Sequence, residues 1–193
     1  MKRNTNIVLI GFMGAGKTEV GKILAKNNGF NFIDLDSLIV AEEGISITEI
    51  FKQKGENYFR NIETEILKKL YKNKTDIYKI AGKCEQIGIK ENKNWVISTG
   101  GGMPAFNDNM KLLKNVGTTI YLKADAKTIY ERIKSETHRP VLGEKGFTEA
   151  KVAEKLKERE KFYEQADIII YTDGLTVAAI AEEIGIFLNK NKN

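Results

Sequence analysis

The chain has 193 residues, 41% hydrophobic and 30% charged, the balance of a globular domain with a substantial core rather than of a disordered segment. Its net charge of +5 is spread among acidic neighbours at helical spacing, as in Glu65/Lys68/Lys69 and Glu154/Lys155/Lys157/Glu158; that reads as solvated helix faces, not as a basic stripe for nucleic acid. One cysteine (Cys84) and one histidine (His138) exclude an internal disulfide, an all-cysteine metal site and a histidine metal centre, and no apolar run approaches the roughly 20 residues of a membrane helix. A cytoplasmic address with no membrane or nucleic-acid partner is the expectation.

Lys2 and Arg3 precede only a short apolar run, Ile7-Val8-Leu9-Ile10, which predicts a buried parallel strand rather than a signal peptide. It leads into Gly11-Phe12-Met13-Gly14-Ala15-Gly16-Lys17-Thr18, a full match to the phosphate-binding pattern G-x-x-x-x-G-K-[ST]. Val20 to Ala25 then carries apolar residues at helical spacing. Strand, glycine loop and helix form the context this chemistry needs: successive backbone N–H groups turn into one concavity, and the helix start adds unpaired donors. Gly14, Ala15, Gly16, Lys17, Thr18 and Glu19 are the expected nucleotide-binding residues. Lys17 would reach the β- and γ-phosphates and Thr18 would ligate Mg²⁺.

After the helix stop Asn27-Asn28-Gly29, Phe30 to Asp34 predicts a second strand. If extension continues to Asp36, Asp34 and Asp36 point to the same side, beyond the carboxyl end of a strand where open α/β sheets bind ligands. The alternative is that an aspartate here caps the helix over Ser37 to Ala41. Ser46-Ile47-Thr48-Glu49 has the form of a capping box for a short helix, which Gly55 stops. A longer helix over Tyr58 to Leu70 has the apolar stripe Phe59, Ile62, Ile66 and Leu70, with Arg60 and Glu63 three apart on its surface. That pair is either an exposed ion pair or a carboxylate holding a guanidinium fork for an anionic substrate.

Two short strands, Asp76 to Ile80 and Gln86 to Lys90, are expected as a hairpin within Asn73 to Asn94. Trp95 to Ser98 is a third strand, followed by Gly100-Gly101-Gly102, which allow close backbone approach to a ligand. A short helix around Lys111 to Leu113, a strand over Thr118 to Leu122 and a helix from Ala126 to Lys134 follow. Ser135 to Gly146, with Arg139-Pro140, suits a lid that brings a cation to a transferring phosphate. Lys151 to Tyr163 is a charged helix carrying Arg159, Asp167 to Thr172 a fifth strand, and Val177 to Leu188 a last helix. Alternation of this kind predicts a three-layer α/β/α fold on a five-stranded parallel sheet.

In these motifs the chain resembles the shikimate kinases, small P-loop kinases of the nucleoside-monophosphate-kinase-like fold. The ordered set is the loop from Gly11, Asp34-x-Asp36, Phe59-Arg60-x-x-Glu63, Gly100-Gly101-Gly102, Arg139-Pro140-Val141-Leu142, and Arg159 with Tyr163 and Ala166-Asp167. The resemblance implies ATP-dependent phosphorylation of the shikimate 3-hydroxyl with Mg²⁺, in the chorismate route to aromatic amino acids; nothing in the sequence forces a dimer, and a monomer is the expectation. It implies that Asp36 binds the shikimate hydroxyls and is the candidate base, and that Arg60, Arg159, Gly101 and Gly102 bind the substrate. Asp34 would hold Mg²⁺ with Thr18, Arg132 would stack on adenine, and Arg139 would close over the phosphates; Lys17, Asp36 and Arg139 form the catalytic set. The whole chain, 1–193, is then one domain with a substrate-binding region near 34–72, an insertion near 73–94 and a mobile lid near 135–148. Family members usually have a short loop in place of that insertion, often Pro where Lys161 stands, and an acidic residue where Val40 follows Ile39. A gluconate-kinase-like enzyme and a catalytically silent nucleotide-binding regulator are the alternatives.

Overall fold

A computed structural model describes residues 6–72, 93–134 and 148–190 of the chain. The expected hairpin, nearly all of the insertion, including Cys84, and nearly all of the expected lid, including His138 and Arg139, lie outside the described residues. Five strands form one sheet: β1 (Asn6–Ile10), β2 (Asn31–Asp34), β3 (Trp95–Ser98), β4 (Gly117–Lys123) and β5 (Ile168–Tyr171). Their order is β2-β3-β1-β4-β5 and every pairing is parallel. The described helices are α1 (Lys17–Asn28), α2 (Leu35–Glu43), α3 (Ile47–Lys72), α4 (Asn109–Val116), α5 (Ala126–Ile133), α6 (Glu149–Tyr163) and α7 (Val177–Lys190), with a 3₁₀ turn over Met103–Ala105.

The sheet is covered on both faces because its strands are apolar at both parities. On β1, Val8 and Ile10 join one core with Ile97 and Tyr121, while Ile7 and Leu9 join a second core with Val96, Ile120 and Leu122. The first core is roofed by residues of α2, α3, α4, α5 and α6, and the second by residues of α1 and α7. The carboxyl ends of the parallel strands therefore lie along one edge of the sheet, and β1, β2 and β3 deliver the P-loop, Asp34 and the Gly100 loop there side by side.

One local expectation changes. Extension does not continue to Asp36: β2 ends at Asp34, whose Oδ1 accepts hydrogen bonds from the backbone N–H groups of Asp36 (3.0 Å) and Ser37 (3.2 Å), capping α2. The strand-parity argument for the aspartate pair fails for that reason. The expectation that Gly55 ends one helix before the next begins holds: within α3 the backbone kinks at Gly55, which sits at the non-helical φ 82° and ψ 168° and separates two helical stretches. At Lys161, where the resemblance left the local geometry open, α6 simply continues to Tyr163.

Candidate active site

The loop between β1 and α1 turns through two left-handed glycines, Gly14 (φ 77°) and Gly16 (φ 88°), the second serving as N-cap of α1. Gly14 is needed on space as well, since a Cβ there would lie 2.5 Å from Ile133 Cγ2. Within the loop the Ala15 N–H donates to Phe12 O over 3.2 Å. The Lys17 ammonium donates to the carbonyls of Gly11 and Phe12, both at 2.9 Å, which holds it inside the loop's concavity. Opening α1 here leaves its first N–H groups without intrahelical acceptors and aims the positive end of its dipole at the same point. The Glu19 side chain turns outward to Lys22 at 2.9 Å, so what Glu19 presents to the loop is its backbone N–H.

Thr18 Oγ1 donates to Asp34 Oδ2 at 2.7 Å and lies 3.5 Å from Ser98 Oγ. Asp34 thus has two tasks, one oxygen capping α2 and the other facing the P-loop. From α5, Arg132 Nη1 donates to the Gly14 carbonyl at 3.4 Å, placing this guanidinium at the loop's outer rim. Gly14, Gly16, Lys17, Thr18, Glu19 and Arg132 line a cleft of about 400 Å³ together with Asp34, Asp36, Thr99 and Gly101. Donor-side and acceptor-side residues share one cavity.

The acceptor side is built on α3 and the glycine loop. Arg60 Nη1 donates to Glu63 Oε2 at 2.8 Å, while Nε and Nη2 both reach Glu56 Oε1 at 3.1 and 2.8 Å. Of the two sequence readings of Arg60/Glu63, the exposed surface pair is wrong: the Glu63 side chain is 0% exposed. Burial pushes the Glu63 carboxyl up to about 7, against the pull of Arg60 downward and with a further push from Asp36. Burial lowers the Arg60 pKa, but Glu63 and Glu56 outweigh it and the net shift is upward. The glycine loop threads through these charges with no room for side chains. A Cβ on Gly100 would lie 2.5 Å from Asp36 Oδ1 and 2.9 Å from Glu63 Oε1, and one on Gly102 would lie 2.5 Å from Arg60 Nη1. Gly101 packs against the Met13 amide, where a Cβ would come within 2.9 Å, and its carbonyl accepts the Tyr163 hydroxyl at 2.5 Å. Burial raises the Tyr163 phenol to about 12, so it stays a donor. Arg159 lies over the P-loop's Phe12 ring, 5.4 Å from its centroid, and its charge acts on both Glu63 and Tyr163.

Every expected site residue among the described ones therefore converges on one edge of the sheet. Sequence reading passed over Ser98, Glu56 and Phe106. Ser98 pairs in register with Asp34 and Glu56 stands four residues before Arg60, so spacing could have found both; the Phe106 ring, 4.2 Å from the Arg60 Cζ, had no local signal.

The family model for shikimate kinase matches residues 13–84 and 85–189. The chain belongs to the shikimate kinase family. A shikimate kinase of Thermodesulfovibrio yellowstonii is 42% identical over 93% of this chain and 92% of its own length, and one of Persephonella marina 39% identical over 93% and 96%. Among solved structures, a shikimate kinase of Acinetobacter baumannii in complex with shikimate superposes with a TM-score of 0.83 at 31% identity, covering 98% of this chain and 96% of that one. The chain is thus an ATP-dependent kinase acting on shikimate, and the gluconate-kinase and silent-regulator alternatives fall away.

The residues of this shikimate kinase fit the family's ATP and Mg²⁺. The Thr18 hydroxyl and the Asp34 carboxylate are hard oxygen donors 2.7 Å apart at the mouth of a phosphate cradle. Among the described residues no cluster of three or more histidine, cysteine or carboxylate ligands exists. The Thr18 and Asp34 oxygens suit Mg²⁺, which usually keeps several waters and is held by one or two protein groups plus substrate phosphates. No helix among the described residues is long and apolar enough to cross a membrane.

Proposed function

We propose that this kinase transfers the γ-phosphate of ATP to the 3-hydroxyl of shikimate through the cleft described above. The observation that carries the reading is that Asp36 lines the same cavity as Lys17 and Thr18, so a hydroxyl held by Asp36 faces the phosphate cradle. The backbone N–H groups of Gly14 to Glu19 bind phosphate oxygens. Lys17 exchanges its two carbonyl partners for the β- and γ-phosphates and neutralises charge as it develops. Thr18 and Asp34 hold Mg²⁺, which supplies charge neutralisation and orientation of the phosphates. Arg132 stacks on adenine at the loop rim, and Arg139 adds a cation to neutralise the phosphates.

On the acceptor side, Asp36 orients the 3-hydroxyl and takes up its proton, while the Gly101 and Gly102 amides and the Arg159 guanidinium hold the rest of the ring. Glu56 and Glu63 occupy three of the five Arg60 N–H donors, leaving one on Nη1 and one on Nη2 for the substrate carboxylate. Phosphoryl transfer needs chiefly position and charge compensation, so the value of Asp36 lies as much in aligning the hydroxyl as in basicity. The same reading treats residues 1–193 as a single domain with its substrate region near 34–72, acting as a monomer in the cytoplasm.

The test is ADP release coupled to a spectrophotometric assay, with shikimate and gluconate as acceptors. Turnover of shikimate and not of gluconate is expected; turnover of gluconate alone would overturn the reading.

A further inference from the structure

Arg60 is held from three directions, and one of them has no part in the site as so far described. Its guanidinium edges meet Glu56 and Glu63, and its Cζ lies 4.2 Å from the centroid of the Phe106 ring. Phe106 follows the 3₁₀ turn Met103–Ala105, whose N-cap is Gly102, so the ring and the glycine packed on the same guanidinium belong to one short turn. The next residues, Asn107 (φ 50°) and Asp108 (φ 55°), are the two positive-φ non-glycine residues of the described chain, a conformation that asparagine and aspartate tolerate but that costs free energy. Something must hold them there. The Asn107 amide donates to Thr64 Oγ1 at 3.1 Å and to the Arg60 carbonyl at 3.5 Å, and Thr64 Oγ1 itself donates to the Arg60 carbonyl at 3.0 Å. The Asn109 N–H closes the turn onto the Phe106 carbonyl at 2.9 Å.

We propose that Phe106 is a positioning residue for substrate binding: its ring, pinned to the Arg60 turn of α3 through Asn107, fixes the plane of the Arg60 guanidinium so that its two remaining N–H donors meet the substrate carboxylate. The inference rests on the assignment of Arg60 to that carboxylate. A flat aromatic face suits the task because a cation over a ring is attracted to it and gives up few hydrogen-bond donors in return. Phe106 is half-buried and polarises no reacting atom, so its effect falls on shikimate binding alone.

The experiment is steady-state kinetics on the full chain for Phe106→Leu, Phe106→Tyr and Arg60→Ala, and for Phe106→Leu combined with Arg60→Ala. Phe106→Leu keeps apolar volume and removes the π face. It should raise the shikimate KM about threefold to thirtyfold, the span of a partly to fully desolvated cation–π contact. The kcat and the KM for ATP should stay within about twofold, and Phe106→Tyr should restore the shikimate KM. In the Arg60→Ala background, Phe106→Leu should have no further effect. An unchanged shikimate KM in Phe106→Leu, or effects that simply add in the double variant, would overturn the proposal while leaving the role of Arg60 intact. If Arg60→Ala itself leaves the shikimate KM unchanged, the carboxylate assignment falls first and the proposal with it.

Discussion

Thr18 and Asp34, 16 residues apart, are joined by a 2.7 Å hydrogen bond that ties the start of α1 to the end of β2. The bond puts the two expected Mg²⁺ ligands in contact and makes Asp34 serve structure and chemistry with different oxygens.

That division of labour can be separated by substitution. Asp34→Asn preserves an N-cap acceptor for α2 and should leave stability nearly unchanged, whereas Asp34→Ala should cost about 1 kcal/mol in denaturant unfolding. Both should lose activity at limiting Mg²⁺, with the metal concentration for half-maximal rate rising at least about tenfold. Equal unfolding midpoints for the two variants would contradict the capping role. An unchanged Mg²⁺ requirement would contradict the metal role.

Gly100 offers a steric test of the acceptor side. Its α-carbon fills the space between Asp36 and Glu63, and a methyl group there would approach their oxygens to 2.5 and 2.9 Å. Gly100→Ala should therefore lower kcat and raise the shikimate KM by displacing Asp36, with ATP affinity kept. Calorimetric titration of ADP-Mg²⁺ alongside the rate assay checks both halves of that statement.

The raised carboxyl of Glu63 gives a pH dependence with a definite sign. Its ordinary value is 4.5, and burial beside Asp36 moves it to about 7 in the folded chain, despite Arg60 and Arg159. Between those values the folded state holds a proton that the unfolded state has released. This group's contribution to stability is therefore fully present below 4.5 and is lost as pH rises through about 7. Glu63→Gln should flatten that slope in unfolding curves compared at about pH 5 and about pH 8. A wild-type slope retained in the variant would assign the titration to another group.

Arg60→Ala should raise the shikimate KM by the equivalent of about 1.5–3 kcal/mol, the usual worth of a charge-assisted hydrogen bond, with kcat less affected. The same change leaves Glu63 buried without its cation, so the Glu63 carboxyl should titrate above its present value. NMR titration of that carboxyl reads this directly.

Much of this was legible in the chain itself. The P-loop is local, with its strand, turn and helix consecutive, and the parity of Ile7 to Ile10 already implies a sheet buried on both faces. Arg60 and Glu63 could be paired from helical spacing. Their burial could not, because it depends on the Gly100 loop, distant in the chain, whose glycines pack against Glu63 and Arg60. Asp36 reached the cleft for a reason the sequence reading had wrong: the helix-capping alternative prevailed at Asp34, and the first turn of α2, not strand parity, aims Asp36. Phe106 was invisible because its partner is 46 residues earlier and its orientation depends on two left-handed residues after it.

The most direct test of the account is Asp36→Asn, measured for kcat with shikimate and, by calorimetry, for ADP-Mg²⁺ affinity. A loss of about 10²–10⁴ in kcat is expected, the span of a positioned acid–base group, with nucleotide affinity within about twofold of the parent. A variant that keeps its kcat would show that the shared cleft does not bring the acceptor hydroxyl to Asp36.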